Sequence, residues 1–259
     1  MLEGARSSEP PVTAQEIRAN TVLPARRQAL SLRTADGLSL VGELALPLER
    51  PPVATLVTLH PLPTAGGFMD SHILRKASYR LPALAGIAVL RFNTRGTVSP
   101  HGRSDGAFDE ARGERLDVEA ALAFCAERQL SPRWLLGWSF GADLALMYGL
   151  DPAIEGTILL SPPMRYASDA DLDRWAASDK SMTVLVPEFD DYLRPAEAAV
   201  RFSRVPQADV QAVPGGKHLW VGEKYVQIAL NAVVEVLVPG LTPLPTHWDG
   251  PMETATVSS

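Results

Sequence analysis

The stretch RWLLGWSFGADLALM occupies residues 133–147 and decides the fold. A mostly apolar run ends at Trp138, Ser139 follows it, and a helical pattern of small and apolar residues starts at once. This pattern predicts a buried strand, a tight turn and a helix, with Gly-x-Ser-x-Gly spanning the turn. Side chains at Gly137 or Gly141 would crowd the neighbouring strand or helix, and the serine backbone between them is expected to be strained. We therefore predict that the turn exposes the Ser139 hydroxyl as a nucleophile.

Short apolar runs alternate with helical patterns on both sides of this stretch. The apolar runs are 53–59, 88–92, 134–138, 156–160, 182–186 and 210–213, and the helical segments are 73–85, 112–128, 140–150, 169–178, 195–203 and 219–236. Most of the runs are too apolar to have a face in water, so helices are expected to cover them on both sides. Strands that alternate with helices form right-handed βαβ units. The sequence therefore predicts an α/β fold with a mostly parallel central sheet and helices on both faces.

An antiparallel hairpin is predicted before the first of these units. Two alternating runs within residues 27–47 flank Asp36-Gly37, a strong signal for a two-residue turn. The hairpin would supply an antiparallel edge to the sheet. We predict a flexible N-terminal segment at 1–25, one α/β domain at 26–241 and a tail or extended strap at 242–259.

The composition is that of an ordinary globular domain and excludes several function classes. The 259 residues are 46% hydrophobic and 21% charged, with a net charge of −6, which argues against a nucleic-acid binder. No run approaches the roughly 18 apolar residues of a membrane helix, and the N-terminus lacks the apolar segment of a secretory signal. We expect a cytoplasmic protein that binds neither membranes nor nucleic acids.

Neither cysteine chemistry nor a cofactor is expected. The single cysteine, Cys125, lies in an apolar helical stretch and is interpreted as a buried small hydrophobe. The sequence has no zinc-ligand spacing, no P-loop and no Gly-x-Gly-x-x-Gly, so no metal or nucleotide is predicted.

A serine nucleophile needs a base within hydrogen-bond reach and a carboxylate that orients the base. After a nucleophile in such a turn, the expected chain order is serine, acid, histidine. Only His218 and His247 follow Ser139, and His247 lies in the proline-rich tail. His218 comes shortly after the strand 210–213 and is expected to begin a helix. Ligands bind beyond the carboxyl ends of strands in open α/β sheets, so His218 is the predicted base.

The acid is expected after the strand 182–186, where three carboxylates compete. Glu188 is closest to the strand and is expected to shape the turn. Asp190 and Asp191 are adjacent, so their side chains should diverge and only one should face the histidine. Spacing alone does not choose between these two.

The whole arrangement resembles the α/β-hydrolase superfamily over residues 28–238. It looks closest to small bacterial members without a large cap domain, the dienelactone-hydrolase-like and esterase-like group. In that group the acid commonly lies in a G-x-x-D-x-x-x-P loop, and matching Pro195 to its proline implies Asp191, with Asp190 as the alternative. Glu188 stands where the family has glycine. Dienelactone hydrolases use a cysteine nucleophile, so Ser139 does not imply that specific activity.

The resemblance also implies an oxyanion hole made of two backbone N–H groups. One is the N–H of Phe140, the residue after the nucleophile. The other lies in HPLPTAGG, residues 60–67, which resembles the H-G-x or H-P-x-P segment of the family. The prolines on both sides of Leu62 have no N–H, which leaves Leu62 as the donor. His60 sits at a strand end before the serine and is interpreted as structural.

Three further expectations concern an arginine, the size of the lid and the acyl pocket. Arg95 is predicted to form a structural ion pair with Glu114 or Asp117 rather than to contact a substrate. The segment between residues 161 and 181 is too short for a full cap domain, so we expect a small lid at most and an open site. The candidates for an acyl pocket are Met69, Trp138, Phe140, Met164, Tyr192 and Trp220.

These features predict a serine hydrolase that cleaves carboxylic esters of small to medium acyl chains through an acyl-enzyme. The expected partner is therefore a small-molecule ester. The same triad would serve an acyltransferase, a thioesterase or a peptidase. A third alternative is a non-catalytic binding protein on this fold, because fold does not determine function.

Overall fold

The computed structural model describes residues 14–252 of the chain. Its strands are β1 (Gln15–Glu16), β2 (Arg26–Arg33), β3 (Ser39–Leu46), β4 (Ala54–Leu59), β5 (Ile87–Phe92), β6 (Val98–Ser99), β7 (Gly102–Arg103), β8 (Arg133–Trp138), β9 (Ile154–Leu160), β10 (Ser181–Phe189), β11 (Ala208–Lys217) and β12 (His247–Trp248). Its α-helices are α1 (His72–Ala85), α2 (Glu114–Glu127), α3 (Phe140–Tyr148), α4 (Asp169–Ala176), α5 (Pro195–Phe202) and α6 (Glu223–Leu237). A 3₁₀ turn spans Pro63–Ala65.

Eight strands form one sheet in the order β11-β10-β9-β8-β4-β5-β3-β2. The strands from β11 to β5 run parallel to their neighbours, whereas β3 is antiparallel to β5 and β2 is antiparallel to β3. The predicted parallel sheet with an antiparallel hairpin at its edge is confirmed. β8 lies in the middle of the sheet, so Ser139 follows a strand that has neighbours on both sides.

Helices cover both faces of the sheet and enclose a core on each. Every residue of β4 and β5 is buried, as strands with two covered faces require. Adjacent residues of β8 point to opposite cores: Leu135 packs in the core under α2, α3, α4 and α5, and Leu136 in the core under α1 and α6. Most apolar runs of the sequence therefore mark strands that are buried on both sides; the exception is 210–213, which lies in the partly exposed edge strand β11.

Two strands extend further than their apolar runs predict. β10 continues to Phe189 and β11 to Lys217, where the residues are more exposed. α6 begins only at Glu223, so the prediction that His218 begins a helix is wrong. His218 instead lies in a short loop at the end of β11.

The two ends of the described chain pair with each other. β1 and β12 form an antiparallel ladder of two residues each. Leu23, a few residues after β1, and Leu244, a few residues before β12, are both buried. Residues 1–13 of the predicted N-terminal segment and 253–259 of the predicted tail lie outside the described residues. Within 14–252, no helix combines the length and the apolar character needed to cross a membrane.

A buried ion pair fastens the end of β5 to α2. The Arg95 guanidinium contacts Asp117 at 2.8 Å and Asp36 of the hairpin turn at 3.1 Å. The Asp117 carboxylate also accepts the backbone N–H of Arg95 at 2.8 Å and is fully buried. Of the two partners predicted for Arg95, Asp117 is therefore the correct one, and Glu114 instead accepts the N–H of Asp109.

Replacing Asp117 by alanine should strongly destabilise the fold, because it leaves the buried Arg95 guanidinium beside a cavity with only the exposed Asp36 as a charged partner. Breaking a buried pair in this way costs about 3–5 kcal/mol. On the same helix, Glu119 pairs with Arg115 at 3.6 Å on the surface, and Glu119→Ala should cost less than about 1 kcal/mol. Urea unfolding of both variants measures the difference. Equal losses would contradict a structural role for the Arg95–Asp117 pair.

Candidate active site

Ser139 occupies a strained turn between β8 and α3. Its φ is 54° and its ψ is −118°, a conformation that residues with a side chain rarely adopt. Its N–H donates to the Leu160 carbonyl at 2.9 Å, which ties the turn to β9. A Cβ on Gly137 would clash with the backbone of Gly141, and one on Gly141 would overlap the Leu59 carbonyl. The strain and the crowding predicted from the sequence are both confirmed.

The Ser139 hydroxyl lies against His218. The distance from Ser139 Oγ to His218 Nε2 is 2.9 Å. On the other side of the ring, Nδ1 lies 3.0 Å from Oδ2 and 3.1 Å from Oδ1 of Asp190. His218 is 7% exposed and Asp190 is 1% exposed. The three side chains thus form one hydrogen-bonded chain at the ends of β8, β11 and β10.

The structure corrects the acid predicted from the sequence, which was Asp191. Asp190 is the first residue after β10, and its carboxylate faces His218. The Asp191 side chain points away and is exposed, because adjacent side chains diverge in this turn. Glu188 accepts the Gly215 N–H at 2.7 Å and so links the two loops, consistent with its predicted role in shaping the turn.

The environment of Asp190 favours its charged form. Burial alone would raise its pKa, but hydrogen bonds from His218 and from the Tyr192 N–H outweigh that effect. The Tyr192 N–H donates to Oδ1 at 2.9 Å. The net result is a pKa below the usual value for aspartate, so the carboxylate is ionised at neutral pH. An ionised Asp190 orients His218 and stabilises its protonated form.

Two residues beside the serine have backbone N–H groups that are available to a ligand. Leu62 and Phe140 line one cavity together with Ser139 and His218. Within the described chain, neither of these N–H groups donates to a protein acceptor. Phe140 is also the first residue of α3, where the helix dipole favours negative charge. This arrangement can bind an oxyanion that forms at the serine.

The cavity beside the serine is small and largely apolar. Its volume is about 120 Å³. Of the six side chains predicted for an acyl pocket, Phe140 and Tyr192 line it, and the other four do not. Trp138 and Trp220 are buried in the core under α1 and α6, where their indole N–H groups donate to the His218 carbonyl and to Ser161.

Sequence reasoning missed two features of this site. Asp143, one helical turn after Ser139, lines the cavity, and its Oδ2 accepts the N–H groups of Arg165 and Tyr166 at 3.1 Å each. Burial raises the pKa of Asp143 to about 6. A single carboxylate among the apolar residues of α3 is the signal that could have found it. The second feature is a contact of Tyr192 with the triad histidine: Tyr192 was predicted only for the acyl pocket, but its ring centroid also lies 4.5 Å from that of His218.

The described residues offer no evident metal site. Between residues 14 and 252, no group of three or more His, Cys, Asp and Glu side chains is arranged to hold a metal ion.

Comparisons of the sequence and of the structure give different results. No protein-family model matches the sequence, and no curated protein matches it significantly. The structure, by contrast, matches many solved structures.

One match is a lidless α/β serine hydrolase from Xanthomonas campestris, with a TM-score of 0.65 and 26% identity over 86% of this chain and 99% of that one. An α/β serine hydrolase homologue from Coxiella burnetii has a TM-score of 0.67 and 22% identity, covering 83% and 97% of the two chains. An esterase from Pyrococcus furiosus has a TM-score of 0.63 and 17% identity, covering 82% and 93%.

These similarities confirm that the chain has the α/β-hydrolase fold in its form without a cap domain. The similarity to the serine hydrolase from Xanthomonas campestris, at 26% identity, also supports a hydrolase activity. The segment between β9 and β10 agrees, since α4 is its only helix. Membership of the dienelactone-hydrolase-like subgroup stays a prediction.

The choice between the two aspartates can be tested with a fluorophosphonate probe, which reacts with an activated serine. Asp190→Asn should lower the labelling rate by roughly 10³- to 10⁴-fold, because the neutral amide no longer holds the imidazole in the reactive tautomer. Asp191→Asn is the matched control and should label like the parent protein. Slow labelling of the Asp191 variant with normal labelling of the Asp190 variant would reverse the assignment.

The strain at Ser139 predicts a gain in stability when the side chain is removed. Ser139→Gly should be more stable than Ser139→Ala by about 1–2 kcal/mol, because glycine adopts positive φ without the steric cost that alanine retains. Neither variant has a hydroxyl, so the comparison isolates the backbone conformation. Chemical unfolding of the pair measures it, and an alanine variant of equal or greater stability would mean that the turn is not strained.

Proposed function

We propose that this chain, which has the cap-less α/β-hydrolase fold, is a serine esterase that acts through an acyl-enzyme. The observation that carries the proposal is the hydrogen-bonded chain from Ser139 Oγ to His218 Nε2 at 2.9 Å and from His218 Nδ1 to Asp190 at 3.0 Å. The residues follow one another in the order serine, acid, histidine, as in other enzymes of this fold.

The first half of the reaction forms the acyl-enzyme. His218 Nε2 takes the proton of Ser139 while Oγ attacks the carbonyl carbon of the ester. The carbonyl oxygen becomes an oxyanion, which the N–H groups of Leu62 and Phe140 stabilise. His218 then gives its proton to the leaving alcohol as the carbon–oxygen bond breaks.

The second half regenerates the enzyme with water. His218 takes a proton from a water molecule, whose oxygen attacks the acyl carbon. The same two N–H groups stabilise the second oxyanion. The proton returns to Ser139 Oγ, and the carboxylic acid leaves. Asp190 stays ionised throughout and offsets the positive charge on His218 in both halves.

The size of the cavity supports short acyl chains. Its volume of about 120 Å³ is well below the roughly 300–1,000 Å³ of pockets that take drug-sized ligands. Phe140, Pro163 and Tyr166 give it apolar walls, and the phenol ring of Tyr166 packs edge-on against Phe140 at 5.5 Å. Each methylene that enters such a space gains about 0.8 kcal/mol, whereas methylenes beyond it stay in water.

We expect kcat/KM to depend on acyl length in a series of p-nitrophenyl esters. It should rise about fourfold per methylene from acetate to butyrate, which corresponds to about 0.8 kcal/mol each, and then level off by octanoate. Tyr166→Ala should move the plateau to longer chains, because it removes one wall of the cavity. A steady rise through decanoate in the parent protein would contradict an acyl site of this size.

Ser139→Ala is the control for the reaction itself and should abolish turnover of every ester in the series. Thioester and aminoacyl-amide substrates, together with added alcohol acceptors, distinguish a thioesterase, a peptidase or an acyltransferase. Hydrolysis at the parent rate by Ser139→Ala would overturn the proposal, because the reaction would not need this serine. No turnover of any substrate together with no labelling of Ser139 by a fluorophosphonate would instead indicate a binding protein.

A further inference from the structure

His60 is fully buried at the end of β4 and has a partner on each ring nitrogen. Its Nε2 accepts the backbone N–H of Thr94 at 3.0 Å. A peptide nitrogen can only donate, so Nε2 carries no proton and Nδ1 does. Nδ1 lies 2.7 Å from the Pro61 carbonyl oxygen, and the Nδ1–H therefore donates to it. Both bonds fix the ring between the ends of β4 and β5.

Burial also keeps this ring neutral. It lowers the pKa of His60 to about 4, since no carboxylate offsets the loss of water around the ring. A protonated ring would lose the acceptor for the Thr94 N–H. At neutral pH His60 is therefore an uncharged ring that donates one hydrogen bond and accepts another.

The Pro61 carbonyl belongs to the same peptide group as the Leu62 N–H. In a trans peptide the C=O and N–H groups are coplanar and point in opposite directions. Because His60 holds the Pro61 carbonyl toward its own ring, the Leu62 N–H points away from His60. Leu62 lines the cavity beside Ser139, and within residues 14–252 its N–H donates to no protein acceptor.

Gly67 holds the same peptide from a second direction. A Cβ at Gly67 would overlap the Pro61 carbonyl, so the glycine allows the two backbones to touch. Its N–H donates to the Leu62 carbonyl at 2.9 Å, and the Ala65 N–H donates there at 3.0 Å. Gly67 therefore packs against the carbonyl that His60 binds, while the two N–H groups fix the next peptide, between residues 62 and 63.

We propose that His60 is a positioning residue, which orients the Leu62 N–H toward the transition-state oxyanion through its bond to the Pro61 carbonyl. The inference rests on the proposed function. If the Leu62 N–H is turned away, the transition state loses a hydrogen bond to its oxyanion, whereas binding of the neutral ester is unchanged. The loss of one oxyanion-hole donor lowers kcat by about 10²- to 10³-fold, which sets the upper limit for a misaligned one.

Two substitutions separate the two hydrogen bonds of the ring. In His60→Asn, the amide nitrogen can take the place of Nδ1 and donate to Pro61, but the link to Thr94 is lost. In His60→Gln, the longer amide can accept from Thr94 but has no donor at the δ position. Both variants put a polar amide in the same buried site, so they control for packing.

The experiment compares kcat and KM of both variants on p-nitrophenyl butyrate, with thermal unfolding measured in parallel. We expect His60→Gln to lower kcat by roughly 10- to 100-fold at nearly constant KM, within the limit that one oxyanion donor sets. His60→Asn should keep most of the parent kcat. Similar kcat losses in both variants, or a parent-like kcat in His60→Gln, would overturn the proposal.

A second pair of variants keeps the test valid if the histidine variants do not fold. Gly67→Ala should lower kcat at nearly constant KM, because its Cβ displaces the Pro61 carbonyl. Gly66→Asn is the control, since a Cβ there meets nothing within 4 Å and asparagine tolerates positive φ. Unchanged kcat in Gly67→Ala would count against the proposal.

The parent protein and Ser139→Ala are measured beside these variants. Equal rates for these two would overturn the proposed function and, with it, the role of His60. Turnover that depends on Ser139 but not on the donor at position 60 would overturn the role of His60 alone.

Discussion

The backbone of Ser139 has a φ of 54°, and the contacts around it are what hold this conformation in place. Such a residue costs about 1–3 kcal/mol and persists only where its surroundings fix it. Here β8 is paired on both sides, the Ser139 N–H is bound to β9, and two glycines let α3 approach β4 and β8. The strain aims the hydroxyl out of the sheet, so every other functional group has to be placed around that one position.

Most of the fold could be predicted because the strands inside the parallel part of the sheet are buried on both faces. Such strands are continuous apolar runs, and all six runs correspond to strands of the sheet. The errors lie at the ends of β10 and β11, which extend beyond the region that the helices cover. There the residues are polar or exposed, so hydrophobicity no longer marks the strand. These same ends carry Asp190 and His218.

The site could be predicted to within one residue, and the reason for the error is geometric. Ser139 and His218 have local signals, a glycine-framed turn and the only suitable histidine after it. The acid has no such signal, since Asp190 and Asp191 follow the same strand. Which one turns inward depends on the N–H groups of Tyr192 and Leu193, both of which bind Asp190. The spacing to Pro195 carries no information about that choice.

The two buried histidines of the site show how environment assigns different roles to the same side chain. His218 has the carboxylate of Asp190 at Nδ1, which stabilises the imidazolium and lets the ring accept a proton from Ser139. His60 has a backbone N–H at one nitrogen and a carbonyl at the other, with no negative charge nearby. A ring that must stay neutral cannot exchange protons in the reaction, but it can fix the orientation of a peptide. The roles proposed for the two rings, proton transfer at His218 and positioning of a peptide at His60, thus rest on which groups the strand ends bring to each ring.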